Sequence, residues 1–305
     1  MSDLLKLSIE AREELAIRLA QEIEACASTT NALLPRWNRN EQIYYADESA
    51  TSLNVIDGLG NYGISIWRGK CDKAKGDLVA GIFSAVPVVQ CIEEGPQGTN
   101  EGPLEKALTQ IADRAKVQRA YDKAVWVGFN TNAGWVRTRP VTDSDGQVTG
   151  IECDWFHPKN TIAYPVAFES LEQCRTVGHR FYLGEWDITQ RQAEGIYYQY
   201  DQEIVAGDDP NQYDVLPGRW DKTHQNNDIV DITDGYVECW EVITRMKVKG
   251  QWTRVIATLA KTSQKILSCQ EYIYSRPWYD IVRLCETEKR IYTNDSVANS
   301  VQGLG

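Results

Sequence analysis

The 305-residue chain is long enough for one large or two ordinary domains, and its 42% hydrophobic and 25% charged residues are those of a soluble globular protein. No apolar run approaches the roughly 20 residues of a membrane span. The opening MSDLLKLSIEAREELAIRLAQEIEA carries both charge signs at helical period, so it is no secretory signal, and the protein is expected to be made in the cytosol and not exported.

The formal net charge is −11, and it is uneven: nine acidic residues between Asp201 and Asp234 face only Arg219 and Lys222. Such an excess argues against tight wrapping of nucleic acid, which is driven by phosphate neutralisation. It is either a solvated acidic loop or a wall that DNA can slide past without sticking.

A first helix is predicted from Ser8, a suitable cap, with Ile9, Ala11, Leu15, Ile17, Leu19 and Ile23 at roughly helical spacing and an end near Ser28-Thr29-Thr30. Pro35 then marks a turn, beside a small basic and aromatic knot of Arg36, Trp37 and Arg39. Residues 51–68 are Gly- and Asn-rich and predict a long loop with a short strand at Gly63 to Trp67.

A second helix follows from about Lys70 to Ala85, with a stripe of Ala74, Leu78 and Ile82, Val79 and Phe83 on an adjoining line, and Pro87 to stop it. PVVQCIEE predicts a short strand and GPQGTNEGP a loop. The longest helix is expected from Pro103, which suits a first helical position, to Asn130. Leu104, Leu108, Ile111, Ala115, Gln118 or Val117, Tyr121, Val125 and Gly128 trace one face, and Arg114, Lys116, Arg119 and Lys123 decorate the others as a solvated basic strip. The rise per residue makes this element a strut of about 40 Å.

Strands dominate from residue 131. AGWVRTRPVTDSDGQVTGIECDWF predicts a hairpin about Asp143-Ser144-Asp145-Gly146. Its tip resembles the start of a calcium loop but lacks the Glu at the twelfth position and the flanking helices, so it is taken as a turn. Strands continue through His157-Pro158-Lys159-Asn160-Thr161-Ile162 and CRTVGHRFYL, and Asp187-Ile188-Thr189-Gln190 opens a short helix with a capping-box pattern running to about Tyr198.

After the acidic loop come strands at Tyr236 to Arg245, Gln251 to Leu259, Ile266 to Ser268 and Tyr279 to Leu284, expected as an antiparallel meander with one packed and one wet face. The fold class is therefore α+β, with long helices followed by an antiparallel β-rich region. Residues 1–130 are mainly helical, 131–290 β-rich and 291–305 the start of another helix.

Catalytic chemistry is sparse. His157, His179 and His224 are too scattered for a ligand cluster, and no GxSxG or HExxH occurs. LNVIDGLGNYG has a GxG without a following GK[ST] or capped helix, so no nucleotide site is read there. A Cys/His dyad, for example Cys174 with His179, would need a distant orienting residue and a pocket, and the sequence shows neither. The eight cysteines (Cys26, Cys71, Cys91, Cys153, Cys174, Cys239, Cys269, Cys285) are spread singly and predict reduced, buried thiols. Ten tryptophans could make a sugar-binding platform or stack bases, but they are spread over helices, loops and strands, which favours core and interface use. No catalytic, cofactor-binding or metal-binding residue is assigned, no cofactor is expected, and the chain is read as not an enzyme.

In this order the elements carry a resemblance. ALLPRWNRNEQIYYADES, KCDKAKGDLVAGIFSAVPVVQCI, the helix-to-strand run LTQIADRAKVQRAYDKAVWVGFNTNAGWVRTRPV and the His-Pro turn of GIECDWFHPKNTIAYPVAFESLEQCRTVGHRFYL resemble the N-terminal half of tailed-bacteriophage portal proteins, particularly those of short-tailed phages. YVECWEVITR, ILSCQEYIYSRPWYDIV and NDSVANSVQ resemble the strands, Pro-aromatic turn and helix start that precede the portal stem. The family's usual Asp-Pro stands here as Tyr164-Pro165.

The resemblance implies the wing of a portal, a mixed α/β body whose stem, clip, tunnel loop and crown come from later sequence not recognisable here. Asp295 or Ser296 can cap a helix holding Val297 and Val301, too short to stand alone in water, so it is expected to continue in residues not given or to be pinned by a partner subunit.

Such proteins form homo-oligomeric rings, usually dodecamers, at one capsid vertex of the virion. The implied partners are the major capsid protein, the terminase during packaging, tail adaptor proteins and double-stranded DNA passing without sequence specificity, with no membrane. Two other classes stay open. One is another phage structural protein such as a tail adaptor or baseplate component. The other is an aromatic-rich carbohydrate-binding or hydrolytic protein, which needs a cleft with paired carboxylates or stacked Trp rings.

Overall fold

The structure, a computed structural model, describes residues 4–45, 66–84, 101–142, 147–166, 168–200, 204, 236–248 and 250–283. Among them are helices α1 (Ile9–Tyr45), α2 (Ile66–Phe83), α3 (Glu101–Arg114) and α4 (Val117–Thr131), then strands β1 (Ala133–Thr142), β2 (Val148–Phe156), β3 (Thr161–Tyr164) and β4 (Thr176–Gly184). Helix α5 (Glu185–Ala193) and strands β5 (Tyr236–Val248), β6 (Gln251–Ala260), β7 (Lys265–Glu271) and β8 (Tyr279–Arg283) follow. The fold is α+β, as the sequence predicts. Two compact units are drawn from it: Gly58–His157 with Trp278–Glu286, and Ser2–Asp57 with Pro158–Pro277 and Thr287–Gly305.

In the first of these units α4 runs straight into β1. Asn132 closes the helix in the left-handed region at φ 69°, its N–H bonding Gly128 O at 2.7 Å, and the strand begins at the next residue. So abrupt a reversal lays β1 on the helix backbone. A Cβ at Gly134 would lie 1.9 Å from Ala124 O, so only glycine fits. Ala120, Ala124 and Val136 form the apolar contact.

The expected β1–β2 hairpin is present, with Arg137 paired to Asp154 at 2.6 Å and Arg139 to Glu152 at 2.5 Å across the ladder. Its DSDG tip lies outside the described residues. Strand β8, expected in the later meander, instead pairs antiparallel with the other edge of β1, giving the order β2-β1-β8. Trp135 explains the preference: it is wholly buried and meets Tyr279 edge-on at 6.2 Å, which brings the aromatic start of β8 to this sheet.

The long strut from Pro103 to Asn130 is two helices. Lys116 adopts φ 53° and ψ 38°, a left-handed conformation that ends α3 and starts α4 in a new direction, so that α3 packs on both α4 and β2. The longest helix is α1. Ile66 and Trp67, expected in a strand, are the first residues of α2; two apolar residues one apart fit either period, and docking on α4 decides. Lys75 Nζ lies 3.2 Å from Asp122 Oδ1, and Phe83 meets Tyr121 at 5.9 Å. The buried line of α2 is Cys71 and Val79, while Leu78 and Ile82 of the predicted stripe face solvent. The predicted PVVQCIEE strand and residues 51–65 of the predicted loop lie outside the described residues, and residues 101–103, expected to end the GPQGTNEGP loop, open α3 instead.

In the second unit Ser8 caps α1 as expected, its Oγ accepting from Ala11 N at 3.2 Å and its carbonyl from Arg12 N at 3.1 Å. The helix does not end near Thr30. It runs 37 residues, through Pro35. Pro35 forgoes one backbone bond, but Thr30, Leu33, Trp37, Glu41 and Tyr44 continue the buried stripe, and their burial outweighs that loss. Trp37 is therefore buried while Arg36 and Arg39 are exposed, so the predicted knot does not form.

Five strands in the order β3-β4-β5-β6-β7 make an antiparallel sheet. Pro158–Asn160 is a single 3-10 turn and not strand, because proline cannot donate to a ladder, and β3 starts only at Thr161. One face of the sheet, with Trp240, Val242 and Met246 of β5 and Val255, Ala257 and Leu259 of β6, packs on Leu15, Leu19 and Ile23 of α1. Among the described residues the other is covered towards one end, where Ile188 of α5, Leu183, Tyr197 and Ile204 close over Val237 and Cys239. The meander β5-β6-β7 thus has one packed face and one that is half wet.

Helix α5 starts two residues before Asp187, on Gly184, without the predicted capping box: Thr189 Oγ1 bonds back to Glu185 O at 3.0 Å. It stops at Ala193, short of Tyr198, because Gly195 turns into the left-handed region at φ 72°. The outer edge of β7 is covered by Leu5 N to Cys269 O at 2.9 Å and Tyr198 N to Leu267 O at 2.7 Å.

One polar node interrupts the α1 interface. Glu22 is 3% exposed; one carboxylate oxygen bonds Arg175 and the other accepts from Thr176 Oγ1 at 2.5 Å. Thr244 Oγ1 lies 2.8 Å from Thr176 Oγ1 and accepts from Arg18 at 3.3 Å, so a relay of donors runs Arg18, Thr244, Thr176, Glu22.

Two stability changes follow. Gly134→Ala is expected to lower the unfolding free energy by about 3 kcal/mol through the collision with Ala124. Glu22→Ala is expected to cost about 3 kcal/mol by leaving the buried donors unmatched, with exposed Gln21→Ala within about 0.5 kcal/mol of the parent. Urea unfolding followed by circular dichroism measures all three.

Candidate functional site

The residues most able to do chemistry are not brought together. His179 stands in β4 between Thr161 and Glu241, with Nδ1 3.9 Å from the Glu241 carboxylate and its ring 5.7 Å from Phe181. Cys174 precedes that strand, and burial, with the neighbouring Cys26 adding to it, pushes its thiol up from 9.0 to about 12. A nucleophilic cysteine needs the opposite shift, and no hydrogen bond joins Cys174 to His179 among the described residues. His157 is buried where β2 ends. His224, the acidic 201–234 segment apart from Ile204, the LNVIDGLGNYG loop and the 291–305 helix start lie outside the described residues.

The six described cysteines are free thiols, five of them buried, as their scatter predicts. Burial raises Cys26 and Cys269 to about 12 as well. Among the described residues no group of three His, Cys, Asp or Glu could hold a metal ion, and no helix is long and apolar enough to cross a membrane.

What the fold does assemble is a cationic and aromatic surface at the free end of the β5–β6 hairpin. The register sets Arg245 opposite Arg254 and Lys247 opposite Trp252, all on the sheet face that α5 leaves uncovered. Arg245, Trp252 and Arg254, with Thr253 and Tyr274, border a hollow of about 270 Å³. Arg254 Nη1 donates to Ser275 O at 2.5 Å, and its guanidinium is shifted down by burial and then by Arg245. Lys247 Nζ sits 5.5 Å over the Trp252 ring, which is 65% exposed.

Two arginines directly opposite in a ladder repel. Arg245 has no carboxylate partner among the described residues, so the pair is poised for an anionic group from elsewhere: guanidinium forks match carboxylate or phosphate and the indole supplies a stacking plane. None of the lining residues is a carboxylate or a base, so the hollow is suited to binding and not to proton transfer. Sequence reasoning placed these residues only as strand. The available signal was the density of Arg245, Lys247, Lys249 and Arg254 within ten residues of a strongly acidic chain.

No protein-family model matches the chain, and no curated protein sequence matches it.

Because burial holds Cys26, Cys174 and Cys269 protonated, iodoacetamide at pH 8 is expected to leave them unmodified in the folded protein and to label them in urea, with mass spectrometry as the readout. The linkage has a definite sign. Above about pH 9 the unfolded chain releases these protons while the folded chain keeps them, so the unfolded state binds fewer and stability falls as pH rises from 9 towards 12. Urea midpoints at pH 8 and pH 10.5 measure that fall.

Proposed function

We propose that this chain is a structural, ring-forming subunit of portal type from a tailed bacteriophage. Its ring stands at one capsid vertex of the virion, double-stranded DNA passes through it during packaging and ejection, and the major capsid protein, terminase and tail adaptors dock on it. The observation that carries this reading is the chain order of α4, Gly134-bearing β1, the His157-Pro158 turn, β4, β5 and, after the Pro277-Trp278 turn, β8. It is the order in which the resemblance to portal wings runs.

Exposed large side chains support an assembled state. Trp186 is 70% exposed and Ile273 78%, and Trp67, Leu104 and Val148 are exposed too. Scattered singly such residues are ordinary, but tryptophan on the surface is costly to leave wet and is typical of subunit contacts. The work of such a subunit is geometric, and it needs no bond-making site.

Single-particle imaging of the full-length protein tests the reading. Rings, usually of twelve, around a central channel are expected. A monodisperse monomer over the micromolar range would overturn it, and a ring of another count without affinity for capsid would indicate an adaptor or baseplate component instead.

A further inference from the structure

Helix α1 turns a second, opposite kind of surface to solvent. Its apolar residues and Glu22 point at the sheet, so the 3.6-residue period sends Glu10, Glu13, Glu14, Ile17, Gln21 and Glu24 outwards, and all six are exposed. Four carboxylates thus surround Ile17, itself 51% exposed, and none of Glu13, Glu14 and Glu24 is in an ion pair among the described residues. The cationic end of the β5–β6 hairpin has the matching make-up: Arg245, Lys247 and Arg254 around Trp252, with Ile273, the residue before Tyr274 of the hollow, the most exposed large apolar side chain described.

Strand alternation fixes where the two surfaces lie. Met246 and Val255 face α1, so Arg245, Lys247, Trp252 and Arg254, which alternate with them, face the other way. One surface is on the helix side of the layer and the other on the opposite face of the sheet. A chain cannot fold one onto the other within this layer. Nor can a two-fold dimer satisfy both with one partner, because they point in opposite directions.

We propose that the acidic stripe of α1 on one copy docks on the cationic, aromatic end of the β5–β6 hairpin of the next copy, a head-to-tail contact that repeats from subunit to subunit. The partner is a second copy of this chain, chosen by charge complementarity. The cationic surface has a like-charge ladder pair, Arg245 opposite Arg254, that gains from carboxylates placed across it. Ile17 against Trp252 supplies the desolvated centre, with charges at the rim setting orientation. This contact rests on the ring-subunit reading and supplies its geometry, since heterologous contacts close into rings or run on as filaments.

Mass photometry and sedimentation of the full-length protein test it with two exposed charge reversals, Arg245→Glu/Lys247→Glu and Glu13→Lys/Glu14→Lys. The first leaves the Arg254 bond to Ser275 in place and replaces a repulsive cross-strand pair by an attractive one, so the fold is retained, as circular dichroism would verify. Each double variant alone is expected to weaken self-association by about a hundredfold. Mixed in equal amounts the two are expected to assemble again, because each carries the surface that the other lacks; a merely misfolded variant could not be rescued in this way. Raising salt from about 0.05 M to about 0.5 M is expected to weaken the parent's assembly. If the parent forms rings and both variants form them equally well, or if the mixture stays dissociated, the contact is wrong while the ring reading stands. If the parent itself is monomeric, both fail.

Discussion

The α1–sheet unit is organised around the buried carboxylate of Glu22. Glu22 sits beside an otherwise apolar interface that includes Trp240 and Met246, and taking its charge out of water costs several kcal/mol unless every lone pair is matched. Arg175, Thr176 and, through Thr244, Arg18 do the matching. An apolar stripe alone is tolerant of position: shifted by a turn, α1 would still offer aliphatic side chains to the sheet. Shifted by a turn, Glu22 would lie buried against no donor. The carboxylate therefore sets where the helix lies on β4 and β5, and the aliphatic contacts supply most of the favourable free energy.

That position has consequences at both surfaces of the layer. Once Glu22 points at Thr176, helical geometry leaves Glu10, Glu14, Ile17, Gln21 and Glu24 pointing away. Once Val242, Met246, Val255 and Ala257 point at α1, strand geometry sends Arg245 and Arg254 to the far side. A single anchoring choice so produces two exposed faces of opposite charge and opposite direction, a pattern suited to repetition of like subunits. In the other unit the organising contact is closer still, with β1 pressed on the α4 backbone where Gly134 admits it.

Much of this was legible in the residues. Ser8 as a helix cap, the hairpin through 133–156, the alternation of β5 and β6 and the isolation of the cysteines all follow from local chemistry and were read correctly. The misreadings share a cause. Pro35, Lys116 and the Leu78 and Ile82 stripe were judged by local rules, and in each case packing against a distant element prevailed: the Trp37 and Tyr44 stripe carries α1 through a proline, a left-handed lysine lets α3 reach β2, and α4 selects Cys71 and Val79 as the buried line of α2. The charged hairpin end was invisible for a different reason. Arg245 and Arg254 are nine residues apart, and only the register places them opposite one another.

By itself the sequence determined the α+β class, most element positions and the absence of a recognisable catalytic motif, because caps, turns and hydrophobic periods act over a few residues and are written in them directly. Tertiary structure alone decided that β8 returns to β1, that α1 continues to Tyr45, that Glu22 is buried among donors, and that acid and base are displayed on opposite sides of one layer. Those outcomes depend on which distant surfaces meet, and the free energy of such meetings comes from area removed from water and charges matched across it, quantities that no window along the chain contains.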